Sequence, residues 1–292
     1  MPRRLAVIVN PSAGGGRALQ ALPRVRAELE RAGAGFHVIE TRSADHAREE
    51  AAAARERGEA VGALGGDGLI GTLAGVLCGG ESPLAVLPGG RGNDLARVLG
   101  IPTEPEAAAR VAVEGTERAI DVAEASGTTY VGIASCGFDS VANRLANEAK
   151  LVRGNLVYLY AGLRTLATWK HRRFEVTVDG ESHTITGYSV LVCNSKAYGG
   201  GMFMAPHAEL DDGQLDVMLS AATSKLHALR TMPKLFKGAH VDDPAITFLR
   251  GAEVEVRADE PFEVYADGDP IGRLPVSIRV SRQALRVLVP AP

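Results

Sequence analysis

The fold of the first half of the chain is decided by the stretch RLAVIVNPSAGGG, residues 4–16. A short apolar run ends there in turn residues and glycines, and residues 17–32 continue with apolar side chains at helical spacing. The same order of strand, loop and helix recurs three times, with strands predicted at 36–41, 60–64 and 84–87. This alternation predicts an α/β domain with a doubly wound parallel sheet, in which ligands bind at the carboxyl ends of the strands.

The second half of the chain has a different pattern. Short β-rich runs separated by turn signals extend from about residue 124 to the end, and they predict a mostly antiparallel β-sandwich. We expect a nucleotide-binding domain over residues 1–123 and a β-rich domain over 124–292, with the last residues, about 278–292, packing back on the first domain. Because no flexible linker separates the two, we expect a cleft between closely apposed domains.

Composition excludes several classes of protein. The 292 residues include 32 Lys and Arg against 35 Asp and Glu, a net charge of −3, which gives no support for bulk nucleic-acid binding. Three scattered cysteines, Cys78, Cys136 and Cys193, are typical of a reducing compartment and not of a disulfide framework. The apolar run 5–9 is too short for a secretory signal, and no window approaches the roughly 18 apolar residues of a membrane span. We therefore expect a cytoplasmic protein without a nucleic-acid partner.

Three glycine-rich loops follow three of the predicted strands, at residues 10–16, 65–71 and 88–94. Backbone N–H groups of such loops converge on an anion, and the following helix adds partial positive charge at its N-terminus. Each loop alone is also compatible with an ordinary strand-to-helix turn. Three of them at one edge of one sheet favour a polyphosphate site, where Arg91 could pair with a phosphate through two hydrogen bonds.

The middle loop contains a carboxylate. Gly66, Gly68 and Gly71 match the spacing of a dinucleotide fingerprint, but Asp67 would repel a pyrophosphate unless a cation lay between them. This favours a nucleoside triphosphate whose phosphates carry Mg²⁺ close to Asp67. The alternative is that Asp67 only caps the next helix.

These motifs resemble a known family. Asn-Pro-x-x-Gly at 10–14, Gly-Gly-Asp-Gly at 65–68 and Gly-x-Gly-Asn-Asp at 90–94 look like the diacylglycerol kinase catalytic family of lipid kinases, which is distantly similar to NAD kinases. Further matching motifs reach Asp-Gly-Asp at 267–269, so the resemblance covers nearly the whole chain, and the stretch 236–240 looks most like actinobacterial members. The resemblance implies transfer of the γ-phosphate of ATP, with Mg²⁺, to the hydroxyl of diacylglycerol. The product is phosphatidic acid for phospholipid synthesis.

The resemblance also implies roles for individual residues. Asp269 and Asp267 match the acidic residues at the transfer site, of which the final one is usually the proton acceptor. The residues that match nucleotide-binding segments are Asn10, Pro11, Ser12, Ala13, Gly14, Thr41, Gly65, Gly66, Asp67, Gly68, Leu69, Ile70, Gly71, Arg91, Asn93 and Asp94. A second, structural Mg²⁺ would be held at Glu209, Asp212 and Gln214. From the residues alone, the segments 211–213 and 267–269 are equally typical of tight turns.

The chain departs from the family pattern at several positions, and Gly71 and Thr72 stand where the family usually continues with other residues. Leu69 and Arg91 stand where the family usually has threonine, and Asp269 stands where it has glutamate. These differences leave the phosphoryl donor open. An NAD kinase-like enzyme and a non-catalytic nucleotide or lipid sensor stay as alternatives, and the sequence leaves open whether two copies form a homodimer.

Basic residues are concentrated in two segments that contain no acid. Residues 150–173 include six and residues 217–241 include four, among apolar and aromatic side chains. Basic rims around apolar faces are typical of peripheral contact with an anionic membrane, although ordinary solvated helix faces have the same pattern. We predict attachment at the inner face of the membrane. The candidate residues are Lys170, Arg172 and Arg173 beside Trp169, and Lys234 and Lys237 beside Phe236.

Overall fold

The computed structural model describes residues 3–148 and 156–291, so Lys150 and Arg153 of the first basic segment lie outside the described residues. The helices are α1 (Arg17–Arg31), α2 (Ala44–Glu56), α3 (Asp67–Leu77), α4 (Asp94–Val98), α5 (Pro105–Glu114), α6 (Phe138–Glu148), α7 (Leu156–Thr168) and α8 (Lys225–Leu235). The strands are β1 (Arg4–Val9), β2 (Gly35–Glu40), β3 (Ala60–Gly65), β4 (Leu84–Pro88), β5 (Thr116–Ala125), β6 (Thr128–Tyr130), β7 (Ile133–Gly137), β8 (Arg172–Val178), β9 (Glu181–Cys193), β10 (Leu215–Ala221), β11 (Ile246–Gly251), β12 (Glu253–Ala258), β13 (Glu263–Ala266), β14 (Asp269–Arg273) and β15 (Val276–Val289). None of the helices in the described ranges is long and apolar enough to cross a membrane.

Strands β1 to β4 form the parallel sheet predicted for the first half of the chain. Their order is β2-β1-β3-β4, and every neighbouring pair is parallel. The chain moves to one side of β1 to make β2 and to the other side to make β3, so right-handed crossovers place α1 and α2 on opposite faces. Helix α1 packs beside α5, and α2 packs beside α3. The predicted doubly wound α/β architecture is confirmed.

The second half of the chain is mostly antiparallel, as predicted. Strand β9 pairs with β7, β8 and β10, while β13 pairs with β7 and β12 pairs with β8, all antiparallel. Along β12, Val254 and Val256 are buried while the residues beside them are exposed, which is the alternation of a strand with one face in a core.

The last strand, β15, joins the two sheets. Its first half pairs antiparallel with β12, and its second half lies between β5 and β4, pairing in parallel with β4 at Val287. Val276 and Ile278 lie in the core of the β-rich half, whereas Leu285, Val287 and Leu288 lie in the core of the parallel sheet. One strand thereby fixes the β-rich half against the loops of the parallel sheet.

We expect Leu288→Ala to destabilise the protein, because the Leu288 side chain is fully buried in the core of the parallel sheet. Removing a buried leucine side chain costs about 2–5 kcal/mol of unfolding free energy. The matched control is Leu19→Ala on α1, where the side chain is 42% exposed. The control should change the unfolding free energy by less than about 0.5 kcal/mol in urea titrations. Equal, small effects of the two substitutions would contradict a role for β15 in the first core.

Candidate active site

The three glycine-rich loops meet at the carboxyl ends of β1, β3 and β4. A Cβ atom at Gly14 would collide with the carbonyl oxygen of Gly89, and a Cβ atom at Gly90 would collide with the Cα of Gly66. Gly14 also has a φ angle of 61°, which favours glycine. The backbones approach this closely because the side chains are absent. The structure thus brings the predicted nucleotide-binding segments together.

Polar side chains shape the first loop. The Oδ1 of Asn10 accepts hydrogen bonds from the backbone N–H and the hydroxyl of Ser12, at 3.1 and 2.9 Å. The Thr41 hydroxyl donates to the carbonyl oxygen of Val9 at 3.1 Å, which fixes the end of β2 beside this loop. The Leu69 side chain is buried in the core, so this predicted site residue offers only its backbone to a ligand.

The Asp67 carboxylate links the second and third loops. Its two oxygens accept hydrogen bonds from the backbone N–H groups of Asn93 and Asp94, at 3.0 and 2.8 Å. These N–H groups belong to the start of α4, so Asp67 caps a helix other than α3, on which it lies. Burial raises the pKa of Asp67, and the negative charge of Asp94 raises it further.

Asp94 links the parallel-sheet half to the β-rich half. Its Oδ2 accepts a hydrogen bond of 2.9 Å from the N–H of Gly200, which lies in the triple-glycine loop 199–201. Its Oδ1 is buried and has no hydrogen-bond partner in the part of the chain that the structure describes. Burial raises the pKa of Asp94. A buried acceptor without a donor is expected where a ligand or cation supplies the partner.

Asp267 is held by three backbone donors. Its carboxylate accepts hydrogen bonds from the N–H groups of Val131, Gly132 and Ile133, at 3.0, 3.2 and 3.0 Å. A Cβ atom at position 132 would collide with the Asp267 carboxylate, so this segment requires glycine. Burial raises the pKa of Asp267 to about 6, although the three hydrogen bonds oppose that shift. Asp267 therefore fastens the β13–β14 hairpin to the segment between β6 and β7.

Asp269 is the freer of the two hairpin carboxylates. Its side chain remains accessible to solvent and makes no hydrogen bond or ion pair with the described residues. A Cβ atom at Gly68 would lie 2.9 Å from the Asp269 Oδ2, so this carboxylate lies over the first turn of α3. Partial burial raises the pKa of Asp269. The geometry thus gives the two carboxylates different roles: Asp267 is structural, and Asp269 can contact a substrate. The sequence did not distinguish these roles.

A cavity of about 630 Å³ runs from these loops into the β-rich half. The charged residues at its loop end are Asp67, Arg91, Asp94 and Asp267. The rest of the wall is largely apolar. All four methionines that follow Met1 line it, at positions 202, 204, 218 and 232. Because methionine is flexible and polarizable, such a wall adapts to an irregular apolar ligand.

Sequence analysis missed a polar pair that lines this cavity. Asp139, at the start of α6, accepts a hydrogen bond from the Ser189 hydroxyl on β9, and both residues line the cavity. Burial raises the pKa of Asp139. Nearby, the Asn143 side-chain amide donates to the Tyr198 hydroxyl at 2.6 Å. The concentration of methionines after residue 200 was the sequence signal for this cavity.

The residues predicted to hold a structural Mg²⁺ contact basic side chains instead. Asp212 forms an ion pair with Arg250, and Glu209 forms one of 2.9 Å with Lys196. Asp212 also accepts a hydrogen bond from the backbone N–H of Gln214 at 2.9 Å. Across residues 3–148 and 156–291, no group of three or more His, Cys, Asp or Glu residues is arranged to hold a metal. In the arrangement observed, the carboxylates of Glu209 and Asp212 are paired with basic side chains, and the predicted magnesium site stays a prediction.

Two family descriptions match the chain. Residues 4–125 match the diacylglycerol kinase catalytic domain, and residues 132–289 match the YegS C-terminal NAD kinase beta sandwich-like domain. Among solved structures, a diacylglycerol kinase from Bacillus anthracis is similar, with a TM-score of 0.78 at 22% identity. The similarity covers 99% of this chain and 97% of that one, and it supports the fold.

Several curated proteins are similar over most of their length. The diacylglycerol kinase of Mycobacterium tuberculosis is 34% identical, covering 98% of this chain and 95% of that protein. The diacylglycerol kinase of Bacillus subtilis is 29% identical, covering 94% and 92%. A Pseudomonas aeruginosa protein named "Probable lipid kinase YegS-like" is 33% identical, covering 78% and 75%.

We expect Asp267→Asn to lower the melting temperature and Asp269→Asn to leave it nearly unchanged. An asparagine at 267 would turn an NH₂ group toward backbone N–H donors, whereas the Asp269 side chain has no partner to lose among the described residues. Thermal melts of the two variants beside the wild type measure the difference. Identical melting temperatures for all three proteins would show that Asp267 does not hold the hairpin.

The raised pKa of Asp267 predicts a pH dependence of stability. Because its pKa rises from an ordinary value of 3.8 to about 6 on folding, the folded protein binds an extra proton between these values. This contribution is fully present below pH 3.8 and is lost as the pH rises through about 6. The melting temperature of the wild type should therefore fall relative to that of Asp267→Asn across this interval. Parallel pH profiles would exclude the shift.

Proposed function

The chain belongs to the diacylglycerol kinase catalytic family and is a lipid kinase, and on this premise we propose that it phosphorylates the hydroxyl of diacylglycerol with ATP, giving phosphatidic acid. The observation that carries this proposal is one continuous cavity that has glycine-rich loops and carboxylates at one end and a methionine-lined wall beyond them. A polyphosphate donor suits only the loop end, and a lipid chain suits only the apolar part. The reacting groups would therefore meet where the two parts join.

ATP is proposed to lie with its phosphates on the three loops. The glycines of these loops let their backbones approach one another closely, and two helix N-termini lie at the site because α1 begins directly after the first loop and α3 begins within the second. Arg91 lines the cavity and makes no ion pair with the described residues, so its guanidinium is available to a phosphate. In this proposal Arg91 takes over the contact made by the threonine of the usual family motif.

The loop end also fits the Mg²⁺ that a nucleoside triphosphate carries. Magnesium is usually held by one or two carboxylates together with substrate phosphates. Asp67 and Asp94 are the proposed carboxylates, because they lie together, because the charge of one raises the pKa of the other, and because Asp94 has an unpartnered buried oxygen. When bound, the ion would neutralise charge on the phosphates.

Asp269 is the proposed general base. It would take the proton of the acceptor hydroxyl while that oxygen bonds to the γ-phosphorus and the bond from the γ-phosphorus to the leaving ADP oxygen breaks. The Asp269 side chain is one methylene shorter than the usual glutamate. The missing side chain at Gly68 lets the hairpin approach α3 closely, which compensates for that length. Asp267 would act by positioning, through its three backbone hydrogen bonds.

Two alternative functions make predictions that differ from those of a lipid kinase. An NAD kinase-like enzyme would need a polar surface for a second nucleotide, but the wall beyond the loops is largely apolar. A non-catalytic sensor would bind ATP and lipid without transfer. We favour the kinase because Asp269 is accessible beside the loop end. We also propose that the protein acts as a peripheral protein at the cytoplasmic face of the membrane.

We expect Asp269→Asn to lower kcat for diacylglycerol by about 10²–10⁴-fold, because a general base contributes that much. The Kd for ATP should change little, since Asp269 acts on the acceptor. Labelled ATP with a panel of diacylglycerol, sphingoid base, long-chain alcohol and NAD measures both transfer and acceptor choice. The matched control is Asp259→Asn, a carboxylate before β13 that does not line the cavity.

Three results would contradict the proposal. More than about a tenth of the activity in Asp269→Asn would remove the general-base role, given the usual size of that effect. Transfer to NAD and not to any lipid would favour the NAD kinase-like alternative. ATP binding without transfer to any acceptor would favour the sensor.

A further inference from the structure

We propose that α8 is the helix through which the protein docks on an anionic lipid bilayer, so that the mouth of the cavity faces the lipid. The proposal rests on the proposed lipid-kinase function, because that function is the reason for the protein to contact a bilayer. Its physical basis is independent, because it comes from the two faces of α8 and from the charges around it.

One face of α8 forms part of the cavity wall. The helix residues on this face are His227, Ala228, Thr231, Met232 and Leu235. They are half-buried, and no residue of α8 is fully buried. The helix therefore forms one side of the cavity wall.

The opposite face presents apolar side chains to solvent. Leu226 and Leu229 are 56% and 44% exposed, and Phe236, directly after the helix, is 56% exposed. Phe236 also lines the cavity, so it marks the mouth. A group of large apolar side chains around an opening is typical of a surface that meets lipid or protein.

The charge of this face selects an anionic lipid surface. Arg230, Lys234 and Lys237 make no ion pair with any described residue, and residues 217–241 contain no acid. The acids that flank this segment are Asp216 and Asp243, which are buried, and Asp242, which is exposed. Because the whole chain has a net charge of −3, attraction to an anionic bilayer requires such a local concentration of positive charge.

Asp243 fixes the orientation of α8. This carboxylate is 6% exposed, contacts the His227 Nε2 at 2.8 Å and accepts a hydrogen bond from the Thr231 hydroxyl at 3.0 Å. The Ser224 hydroxyl caps the helix by accepting from the backbone N–H of His227 at 3.2 Å. These contacts hold the polar side of α8 inward, which leaves the leucines and basic residues facing out.

The membrane-contact candidates predicted around Trp169 are weaker, because two of their basic side chains are paired with acids. Arg172 pairs with Glu260 at 2.9 Å, and Arg173 pairs with Glu175 at 3.2 Å, so both charges are balanced locally. Trp169 is half-buried, with its ring 5.6 Å from that of Phe138. Lys170 makes no ion pair with the described residues, and α7 exposes Tyr160 and Leu163 by 41% and 42%. Because Met232 of α8 lies against Gly162 of α7, the exposed apolar surface of α8 continues onto α7.

The test is co-sedimentation of the full chain with vesicles, without ATP or diacylglycerol. One set of vesicles is phosphatidylcholine, and the other is phosphatidylcholine mixed with phosphatidylglycerol. The variants are Arg230→Glu with Lys234→Glu, Leu226→Ser with Leu229→Ser, and a charge-matched control, Arg26→Glu with Arg257→Glu. The control residues are exposed, lie on α1 and β12, and do not line the cavity.

We expect the wild type and the control to bind the mixed vesicles and to lose binding as salt rises. The Arg230/Lys234 variant should bind at least about thirtyfold more weakly, because each basic residue at an anionic surface contributes about a fivefold factor and the introduced glutamates are repelled by that surface. The leucine variant should also bind more weakly. All variants should still turn over a short-chain, soluble diacylglycerol.

Equal binding by the Arg230/Lys234 variant and the control would overturn the proposal, as would equal binding of the wild type to both kinds of vesicle. Failure of the proposed function has a different signature. A protein that binds anionic vesicles through α8 but transfers phosphate to no lipid would keep the docking surface and lose the kinase proposal.

Discussion

Carboxylates that accept hydrogen bonds from backbone N–H groups connect every part of the cleft. Asp67 accepts from the start of α4, Asp94 accepts from the loop 199–201, and Asp267 accepts from the segment 131–133. Backbone donors that are buried must be paired, so removing one of these carboxylates leaves donors without partners. These carboxylates lie so close to the backbone that some neighbouring positions have room only for glycine. At Gly92 and Gly132 an added Cβ would collide with, or lie against, these same carboxylates.

The same arrangement gathers negative charge where a polyphosphate would bind. Burial raises the pKa values of Asp67, Asp94 and Asp267, and the charge of one neighbour raises that of Asp67 further. Hydrogen bonds from the backbone offset part of this cost but leave the Asp94 Oδ1 unpartnered in the described structure. A cation that lies between these carboxylates and a phosphate would relieve both repulsions. The polar end of the cavity is therefore incomplete without a ligand, in contrast to the turn at 209–214, where arginine and lysine already balance the charge.

The sequence predicted the features of the fold that depend on local residue patterns. The parallel order of β1 to β4, the antiparallel second half and the meeting of three loops follow from periodicity and from the geometry of parallel sheets. Helix α5 was not predicted, although Pro105 in its first turn and three buried alanines are ordinary helix signals. The distinction between Asp267 and Asp269 was beyond sequence reasoning, because it depends on donors about 135 residues away.

Long-range pairing also explains the other differences. Asp212 looked like a metal ligand because its partner, Arg250, is distant in the chain and reaches it only through the pairing of β10 with β11. The sequence predicted a cleft between the two halves but not its apolar wall, since that wall combines α6, α7, α8 and strands of the β-rich half. Only its methionines gave a signal, and a cluster of methionines is as typical of a protein core as of a binding site.

The contacts across the cleft constrain how a lipid can reach the loops. Opening the two halves would break the hydrogen bond from the Gly200 N–H to Asp94. It would also strain β15, which is buried in both cores. Displacing α8 would leave β15 in place. This helix has no fully buried residue, and its side-chain contacts with Asp243 come from His227 and Thr231. The energetically easier route into the cavity therefore passes α8, while the carboxylates that position the transfer stay in place.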